Sequence, residues 1–158
     1  MSELIEPGPD NLTIRRMTAS DLDAVTLLEQ RVFPDPWPRL AFEQDLEEDN
    51  RGVLLAELNG RLCGYASYMA AVGEAHLTNI AVAPEFRGKS IAKILLNRIL
   101  EVAKNADCEY IFLDVRPSNE AAISLYKKYG FYELYRRPEY YRTPVEDALV
   151  MVKTLRDE

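Results

Sequence analysis

Apolar and polar positions follow two different periods along the chain, and together they predict a mixed α/β fold. Between residues 22 and 32 apolar residues recur with the spacing of a helix, whereas the segments flanking Asn59-Gly60 are rich in β-branched and aromatic residues. Asn-Gly is the strongest short-range signal for a two-residue hairpin turn. We predict strands at 12–17, 52–58, 61–72, 74–82, 108–115, 131–136 and 148–155, and helices at 22–32, 38–49, 90–105 and 119–129.

A strand-helix-strand unit in the second half sets the topology. Strands 74–82 and 108–115 flank helix 90–105, an arrangement typical of a right-handed crossover between parallel strands. The earlier strands are joined by short turns and are therefore antiparallel. We predict an α/β fold with a mixed sheet of six or seven strands and about four helices. The change of direction leaves a central strand pair splayed, and ligands favour the crevice at such a point.

The length of 158 residues suits one domain. We expect residues 1–11, which contain Pro7, Gly8 and Pro9 without periodicity, to form a mobile N-terminal lead, and residues 12–158 to form a single domain. Cys63 and Cys108 lack C-x-x-C spacing and a histidine-rich neighbourhood, so we expect neither a metal site nor a disulfide framework. The sequence has no bilayer-length apolar run and no signal-peptide pattern. We therefore expect a cytoplasmic protein.

The charge balance restricts the partners. Lys and Arg number 19 against 26 Asp and Glu, which gives a net charge of −7 and opposes nonspecific binding to nucleic acid or to an anionic membrane. The segment from Arg136 to Arg142 interleaves aromatic and basic residues, a pattern that can stack on RNA. Because the segment is short and the chain acidic, we expect no direct contact with nucleic acid and none with a membrane.

A short basic turn, from Arg87 to Lys93, joins a predicted strand to a predicted helix. A helix N-terminus presents unpaired N–H groups and partial positive charge, and the small residues Gly88, Ser90 and Ala92 let a diphosphate approach the backbone. The cations of the turn are Arg87, Lys89 and Lys93. Neither G-x-x-x-x-G-K-S/T nor G-x-G-x-x-G is present. These residues alone leave two interpretations open, a phosphate site and a solvated loop with chance lysines.

Two spaced motifs resemble those of the GCN5-related N-acetyltransferase (GNAT) superfamily. Residues 87–92 follow the first, Q/R-x-x-G-x-G/A, except that Ser90 stands where the family has glycine. The second is Asn119-x-x-Ala122-x-x-x-Tyr126-x-x-x-Gly130-Phe131. The resemblance implies the GNAT fold and acetyl-CoA as co-substrate. The Ser90 hydroxyl either adds a hydrogen bond to a phosphate or makes acetyl-CoA bind less tightly.

Further segments are similar to the RimI-type ribosomal-protein-alanine N-acetyltransferases, from about residue 13 to residue 155. They are Phe33-Pro-Asp-Pro-Trp37, Asn79-Ile-Ala-Val82, Leu113-Asp-Val-Arg116, Ser118-Asn119 and the tail from Arg136 to Leu149. This resemblance implies acetyl transfer to the N-terminal α-amine of a protein, in particular the alanine of a small-subunit ribosomal protein. It also implies direct attack in a ternary complex, with no metal and no cysteine nucleophile.

The resemblance implies which residues contact the coenzyme. Backbone N–H groups of Ile80, Ala81 and Val82 face the acyl and pantetheine groups, Asn119 contacts pantetheine, and Tyr126 protonates the thiolate. The diphosphate lies on Arg87, Gly88, Lys89, Ser90, Ile91 and Ala92. Helical spacing alone would instead place Tyr126 in the core. A phenol, with a pKa of about 10, is a weaker acid than a thiol at about 8.5, so we expect hydrogen bonding to the thiolate before proton delivery.

Two residues are candidates for the general base. Asp114 stands where the RimI family has glutamate, and its shorter side chain implies action through a water. The alternative for Asp114 is a charged residue at a strand end. His76, the only histidine, lies on the strand that leads into Asn79. Because histidines titrate in the neutral range, it is a candidate to act as the base or to hold a water. The alternative for His76 is a structural or exposed side chain.

The cost of deprotonation ranks the amine substrates. At neutral pH this cost is about 1 to 1.4 kcal/mol for an α-amine and about 4.6 kcal/mol for a lysine side chain, so a modest base favours a protein N-terminus. The resemblance makes Tyr140 or Tyr141 a hydroxyl contact to the first residues of the substrate, with Phe33 and Trp37 in the facing loop. Packing is the alternative for either aromatic pair.

Two rival functions remain open from the sequence. The first is a GNAT enzyme that acetylates a small-molecule amine or a lysine. The second is a noncatalytic acetyl-CoA sensor, suggested by the departures at Ser90 and Asp114. We expect the chain to be a monomer or a weak dimer.

Overall fold

The computed structural model describes residues 9–156, which contain seven strands and four α-helices. In chain order these are β1 (Leu12–Arg16), α1 (Leu22–Val32), α2 (Arg39–Glu47), β2 (Arg51–Leu58), β3 (Arg61–Ala71), β4 (Glu74–Val82), α3 (Ile91–Asn105), β5 (Tyr110–Val115), α4 (Glu120–Lys128), β6 (Tyr132–Arg142) and β7 (Val145–Thr154). Short 3-10 helices occupy Ala19–Asp21 and Pro84–Phe86. Of the predicted lead, residues 1–8 lie outside the described residues.

The strands form one sheet in the order β1-β2-β3-β4-β5-β7-β6. All neighbours are antiparallel except β4 and β5, which are parallel and are joined by the crossover through α3. These observations confirm the predicted mixed sheet, with a strand count at the upper end of the expected range.

Helix α3 fastens the basic turn to the sheet. It packs against β2, β3 and β4 through apolar residues that recur at helical spacing and are buried, among them Ile91, Leu95 and Ile99. Burial of each such side chain contributes about 1.5 to 3 kcal/mol. Because Ile91 is the first residue of the helix, this packing holds the N-terminus of α3, and the turn before it, in one place.

The parallel strands β4 and β5 separate partway along their length. Four residue pairs join them, the last being Leu77 with Leu113, although both strands continue beyond these residues. At the same point Thr78 is skipped in the pairing of β4 with β3, where Tyr68 pairs with Leu77 and Ser67 with Asn79. Such a bulge bends a strand, so β4 turns away from β5. The predicted splay is confirmed, and it opens a gap at the carboxyl ends of both strands.

The last hairpin differs from the prediction. Strand β6 extends to Arg142, so the aromatic and basic segment expected between two strands lies within β6. Strand β6 is at the edge of the sheet, where Pro138 is tolerated because its missing N–H breaks no ladder bond on the open side. Its pairing with β7 shifts register between Glu133 and Tyr135 and again between Arg137 and Tyr141. These irregularities interrupt the alternating pattern of side chains, and this is why the sequence predicted a shorter strand that ended at residue 136.

Asp45 on α2 gives a prediction about stability. Its side chain is buried, one carboxylate oxygen has no hydrogen-bond partner, and the nearest cation, Arg51, is 3.8 Å away. Burial raises the pKa of Asp45 to about 6, and the positive charge of Arg51 offsets part of this rise. Because the folded-state pKa lies above the unfolded value, ionisation of Asp45 opposes folding increasingly as the pH rises from about 4 to 6. We expect Asp45→Asn to stabilise the protein by about 1 to 3 kcal/mol at neutral pH.

Thermal unfolding at a series of pH values tests this expectation. The gain in Tm from Asp45→Asn should shrink as the pH falls from about 6 to 4 and disappear near about pH 3, where the carboxyl is protonated in both states. The matched control is Asp49→Asn, which changes an exposed aspartate just after the end of α2. It should leave Tm unchanged. A gain independent of pH would show that ionisation of Asp45 is not its source.

Candidate active site

The gap between β4 and β5 opens into a cleft of about 940 Å³, a size at the upper end for ligand pockets. Its walls include the turn before α3, the start of α4, the loop between α1 and α2, and the β6–β7 hairpin. The predicted site residues that line it are Phe33, Trp37, Ile80, Ala81, Val82, Arg87, Gly88, Ser90, Ile91, Ala92, Asp114, Asn119, Tyr126, Tyr140 and Tyr141. Distant parts of the chain thus converge on one cleft.

The basic turn has the backbone of an anion site. Gly88 has a φ of 81° and Ser90 a φ of 66°, and α3 begins directly afterwards at Ile91. The first N–H groups of a helix have no partner within the helix, so this end of α3 can receive a phosphate. Arg87 lies beside the turn and donates from Nε to the carbonyl oxygen of Val82 at 3.3 Å. Lys89 does not line the cleft, whereas Lys93, one helical turn further on, does.

The conformation of Ser90 explains why glycine is expected there. An L-residue in the left-handed region incurs a penalty of about 1 to 2 kcal/mol that glycine does not. We expect Ser90→Gly to stabilise the protein by about 1 kcal/mol, which raises Tm by about 2 to 4 °C in a chain of this size. Ser90→Ala removes the same hydroxyl but keeps the strained backbone, so it is the matched control and should give no gain. A lower Tm for Ser90→Gly than for Ser90→Ala would contradict this explanation.

Tyr126 is both a core residue and a cleft residue. It is 5% exposed, its ring lies against that of Phe131 with centroids 5.7 Å apart, and it lines the cleft. Burial, and to a lesser degree nearby Tyr141, raises the pKa of Tyr126 well above its usual range. The phenol therefore keeps its proton at neutral pH. Asn119 caps α4 by accepting a hydrogen bond from the Ala122 N–H at 3.2 Å, and this fixes the helix that carries Tyr126.

Asp114 lies where the gap begins. It follows Leu113, the last residue of β5 that pairs with β4, and its carboxylate is 3.7 Å from Nε of Arg137 on β6. Burial raises the pKa of Tyr141 to about 12, and the charge of Asp114 contributes to this shift. Asp114 thus stands in the same wall as the predicted substrate tyrosines.

The structure does not bring His76 to the cleft. Its ring stacks on Phe112 with centroids 5.4 Å apart, in the part of β4 that is still paired with β5. The cleft begins beyond this pairing, and His76 is not among its lining residues. The geometry therefore gives no support for the expectation that His76 is a base or holds a water. Proximity in sequence to Asn79 was misleading because the bulge at Thr78 separates the two environments.

Glu29 was missed by the sequence analysis. It is 1% exposed, lines the cleft, and accepts hydrogen bonds from the side chain of Asn79, the hydroxyl of Tyr65 and the backbone N–H of Trp37. Burial raises the pKa of Glu29, and the three hydrogen bonds oppose that rise. One signal was available, because Glu29 falls four residues after Val25 and so shares the buried face of α1.

Arg116 was also missed, and it joins three elements at one end of the cleft. It donates to the backbone carbonyl oxygens of Thr143 and Pro144, pairs with Glu146 at 3.2 Å, and lies over the ring of Tyr141. Asp35, in the loop after α1, accepts a hydrogen bond from the Thr143 N–H at 2.7 Å and lies 3.6 Å from Arg116. These contacts fix the β6–β7 hairpin against the loop that carries Phe33 and Trp37. No local pattern reveals them, because the partners are distant in sequence.

Comparison with known proteins identifies the architecture. Residues 22–131 match the family model described as the acetyltransferase (GNAT) family. The chain belongs to this family. The GNAT fold, the enzyme class and the co-substrate predicted from the sequence are confirmed, and the chain is an acetyl-CoA-dependent N-acetyltransferase. In this GNAT fold, the cleft is lined by the splayed strands and by the basic turn.

The similarity to individual relatives covers almost the whole GNAT chain. An Escherichia coli (strain K12) ribosomal protein bS18-alanine N-acetyltransferase is 33% identical over 141 residues, covering 88% of this chain and 95% of the relative. A Mycobacterium tuberculosis protein named N-alpha-acetyltransferase RimI is 33% identical over 147 residues, covering 89% and 90%. The crystal structure of the Escherichia coli ribosomal-protein-S18-alanine N-acetyltransferase superposes with a TM-score of 0.86 at 30% identity, covering 93% and 96%.

The part of this GNAT chain that the structure describes lacks two kinds of feature. Among residues 9–156 no group of three or more His, Cys, Asp or Glu side chains is placed to hold a metal ion. Within the same range no helix has the length and apolar character required to cross a membrane.

Proposed function

We propose that this chain acetylates the N-terminal α-amine of a protein and that its main substrate is the N-terminal alanine of a small-subunit ribosomal protein. The observation that carries the proposal is a single cleft with a phosphate-binding turn in one wall and an aromatic, acidic surface in another, with Asp114 and Tyr126 between them. The relatives from Escherichia coli and Mycobacterium tuberculosis, whose names describe N-terminal acetylation, support it.

In this proposal the coenzyme extends from the turn into the gap. Its diphosphate lies on the backbone of residues 87–92, and its pantetheine lies along the open edge of β4. The N–H of Ile80 already donates to the Asn79 side chain at 3.1 Å. Backbone N–H groups two residues apart face the same side of a strand, so Val82 presents its N–H to the gap beside the Ile80 N–H. We assign Val82 as the donor to the acyl and pantetheine groups.

The transfer needs a base, a polarised carbonyl and an acid. Asp114, through a water, takes a proton from the substrate's ammonium group, and the neutral amine attacks the thioester carbonyl. The backbone N–H of Val82 stabilises the oxyanion of the tetrahedral intermediate. The attack forms the C–N bond, and collapse of the intermediate restores the carbonyl and breaks the C–S bond. The nitrogen releases a second proton as it becomes an amide, and the departing thiolate, which accepts a hydrogen bond from Tyr126, takes up one proton and leaves as a thiol.

The wall opposite the turn suits a protein N-terminus. Phe33, Trp37, Tyr140 and Tyr141 line it, and the carboxylates in the same region include Asp35, Asp114 and Glu146. The net charge of −7 on the whole chain attracts the ammonium group and the basic chain that follows it in a ribosomal protein. We further propose that the chain acts in the cytosol as a monomer or weak dimer, without direct binding to nucleic acid.

A substrate panel tests this function. The purified chain is incubated with acetyl-CoA and peptides that begin with Ala, Ser or Met, alongside free lysine and a polyamine, and products are identified by mass spectrometry. The proposal predicts transfer to the α-amine of the Ala peptide and none to the same peptide with a formylated N-terminus. Transfer confined to the small amines would establish the small-molecule alternative, and coenzyme binding without transfer to any amine would establish a sensor.

A further inference from the structure

The carboxylate of Glu29 joins three parts of the fold, two of which line the cleft. Its Oε1 accepts from Nδ2 of Asn79 at 2.7 Å and from the Tyr65 hydroxyl, and its Oε2 accepts from the Trp37 backbone N–H at 2.9 Å. All three partners are donors, which suits an ionised carboxylate because it can only accept hydrogen bonds. Glu29 therefore ties α1 to the strand β4, to the strand β3 and to the loop that lines the substrate wall.

We infer that Glu29 is a positioning residue that holds the coenzyme edge of β4 and the substrate loop in one fixed relation. The inference rests on the proposed function, since it concerns how the acetyl group and the substrate amine are brought together. Asn79 is the first β4 residue after the bulge, and Trp37 belongs to the loop between α1 and α2. Misplacement of reacting groups by about 1 Å can cost about 100-fold in rate, so a joint between these two walls matters for turnover.

The direction of the Asn79 amide depends on Glu29. With Nδ2 directed to Glu29, the Oδ1 of Asn79 accepts the Ile80 N–H at 3.1 Å. Because the backbone N–H of Trp37 cannot turn, a glutamine at position 29 would direct its oxygen to Trp37 and its NH₂ group to Asn79 and Tyr65. The Asn79 amide would then have to turn and direct its own NH₂ group at the Ile80 N–H. The disturbance would pass from α1 into the edge of β4 that faces the coenzyme.

The first test is Glu29→Gln, which keeps the size of the side chain. We expect kcat for an Ala-initiated peptide, at saturating acetyl-CoA, to fall by about 10- to 100-fold. Acetyl-CoA binding, measured by calorimetry, should change less than about threefold because the phosphate turn does not contact Glu29. All rates are measured well below Tm on protein shown to be folded, so that a loss of fold does not enter kcat.

A paired exchange provides the sharper test. In Glu29→Gln/Asn79→Asp the new amide donates to the new carboxylate, which still accepts the Ile80 N–H, while the glutamine oxygen accepts from Trp37. The N–H groups of Ile80 and Trp37 again have acceptors, whereas the Tyr65 hydroxyl, which donates to Oε1 of Glu29 in the unmodified chain, now faces the amide and accepts from it. We expect this double variant to regain part of the lost kcat, whereas Asn79→Asp alone, which places two carboxylates together, should be the least active of the set. Glu29→Gln/Asn79→Ala, without the restored contact, should show no recovery.

The controls separate this inference from the proposed function. Asp45→Asn is a matched change of a buried carboxylate to an amide outside the cleft and should leave kcat unchanged. If the unmodified chain transfers no acetyl group to the peptide, the proposed function fails. If that chain is active but Glu29→Gln keeps its kcat within about twofold, or the paired exchange recovers nothing, only the role of Glu29 is overturned.

Discussion

Tyr126→Phe is expected to lower kcat for an Ala-initiated peptide by about 100- to 1,000-fold, the range for loss of one hydrogen-bond donor to a developing anion. The hydroxyl is the only group removed, and the ring can keep its contact with Phe131. Because burial raises the pKa of Tyr126, the phenol is protonated throughout the neutral range. Its contribution is the hydrogen bond to the thiolate, which is strongest after the C–S bond has begun to break. The affinity for acetyl-CoA should therefore change little.

Rapid-quench kinetics and calorimetry on the same preparation measure both quantities. Tyr129→Phe is the matched control, since Tyr129 is a buried tyrosine near the end of the same helix and does not line the cleft. It should leave kcat unchanged. Equal losses in the two variants, or a loss at Tyr126 that appears only in the affinity for acetyl-CoA, would show that the hydroxyl does not act on the leaving group.

The second large effect is expected at Asp114. Asp114→Asn should lower kcat/KM for the peptide by about 10- to 100-fold at neutral pH, because the amide cannot accept the proton of the substrate ammonium group. The defect should shrink as the pH rises past about 8, the range in which an α-amine loses its proton to solvent. The kcat/KM of Asp114→Glu should stay within about tenfold of that of the unmodified chain, because the longer side chain reaches the amine without a water.

A pH series of kcat/KM with the Asp, Asn and Glu forms at position 114 is the measurement. The control is Arg137→Gln, which breaks the 3.7 Å ion pair with Asp114 but keeps the carboxylate, and it should have a small effect. A defect of Asp114→Asn that is constant across the pH range would assign the residue a structural role and leave the base to be found elsewhere.

Most of the fold was accessible from the sequence because local signals agreed with one another. Asn59-Gly60 marked the hairpin between β2 and β3, and the apolar period after Ser90 marked α3. The crossover then required a parallel pair within an otherwise antiparallel sheet. The bulge at Thr78 has no such signal, because it arises from the way in which β4 pairs with β3. It nevertheless decides that Asn79 enters the cleft and His76 does not.

The candidate site was predicted in part, and the parts that escaped share a physical cause. The turn around Gly88 and the Asn119 cap follow from backbone requirements that are local in sequence. Glu29 and Arg116 act through partners far away in the chain, and a single glutamate on a helix or arginine after a strand is ordinarily a surface residue. Only the packing of α1 and the β6–β7 hairpin turns these two charges into parts of the site.

A structure of the chain bound to a conjugate of coenzyme A and an Ala-initiated peptide tests the central claim most directly. The account predicts that the diphosphate lies on the backbone N–H groups of residues 87–92 and that the sulfur lies within about 3.5 Å of the Tyr126 hydroxyl. It also predicts that the alanine nitrogen faces Asp114, with the peptide leaving past Tyr141. A diphosphate bound elsewhere, or a Tyr126 hydroxyl beyond hydrogen-bond reach of the sulfur, would contradict the account.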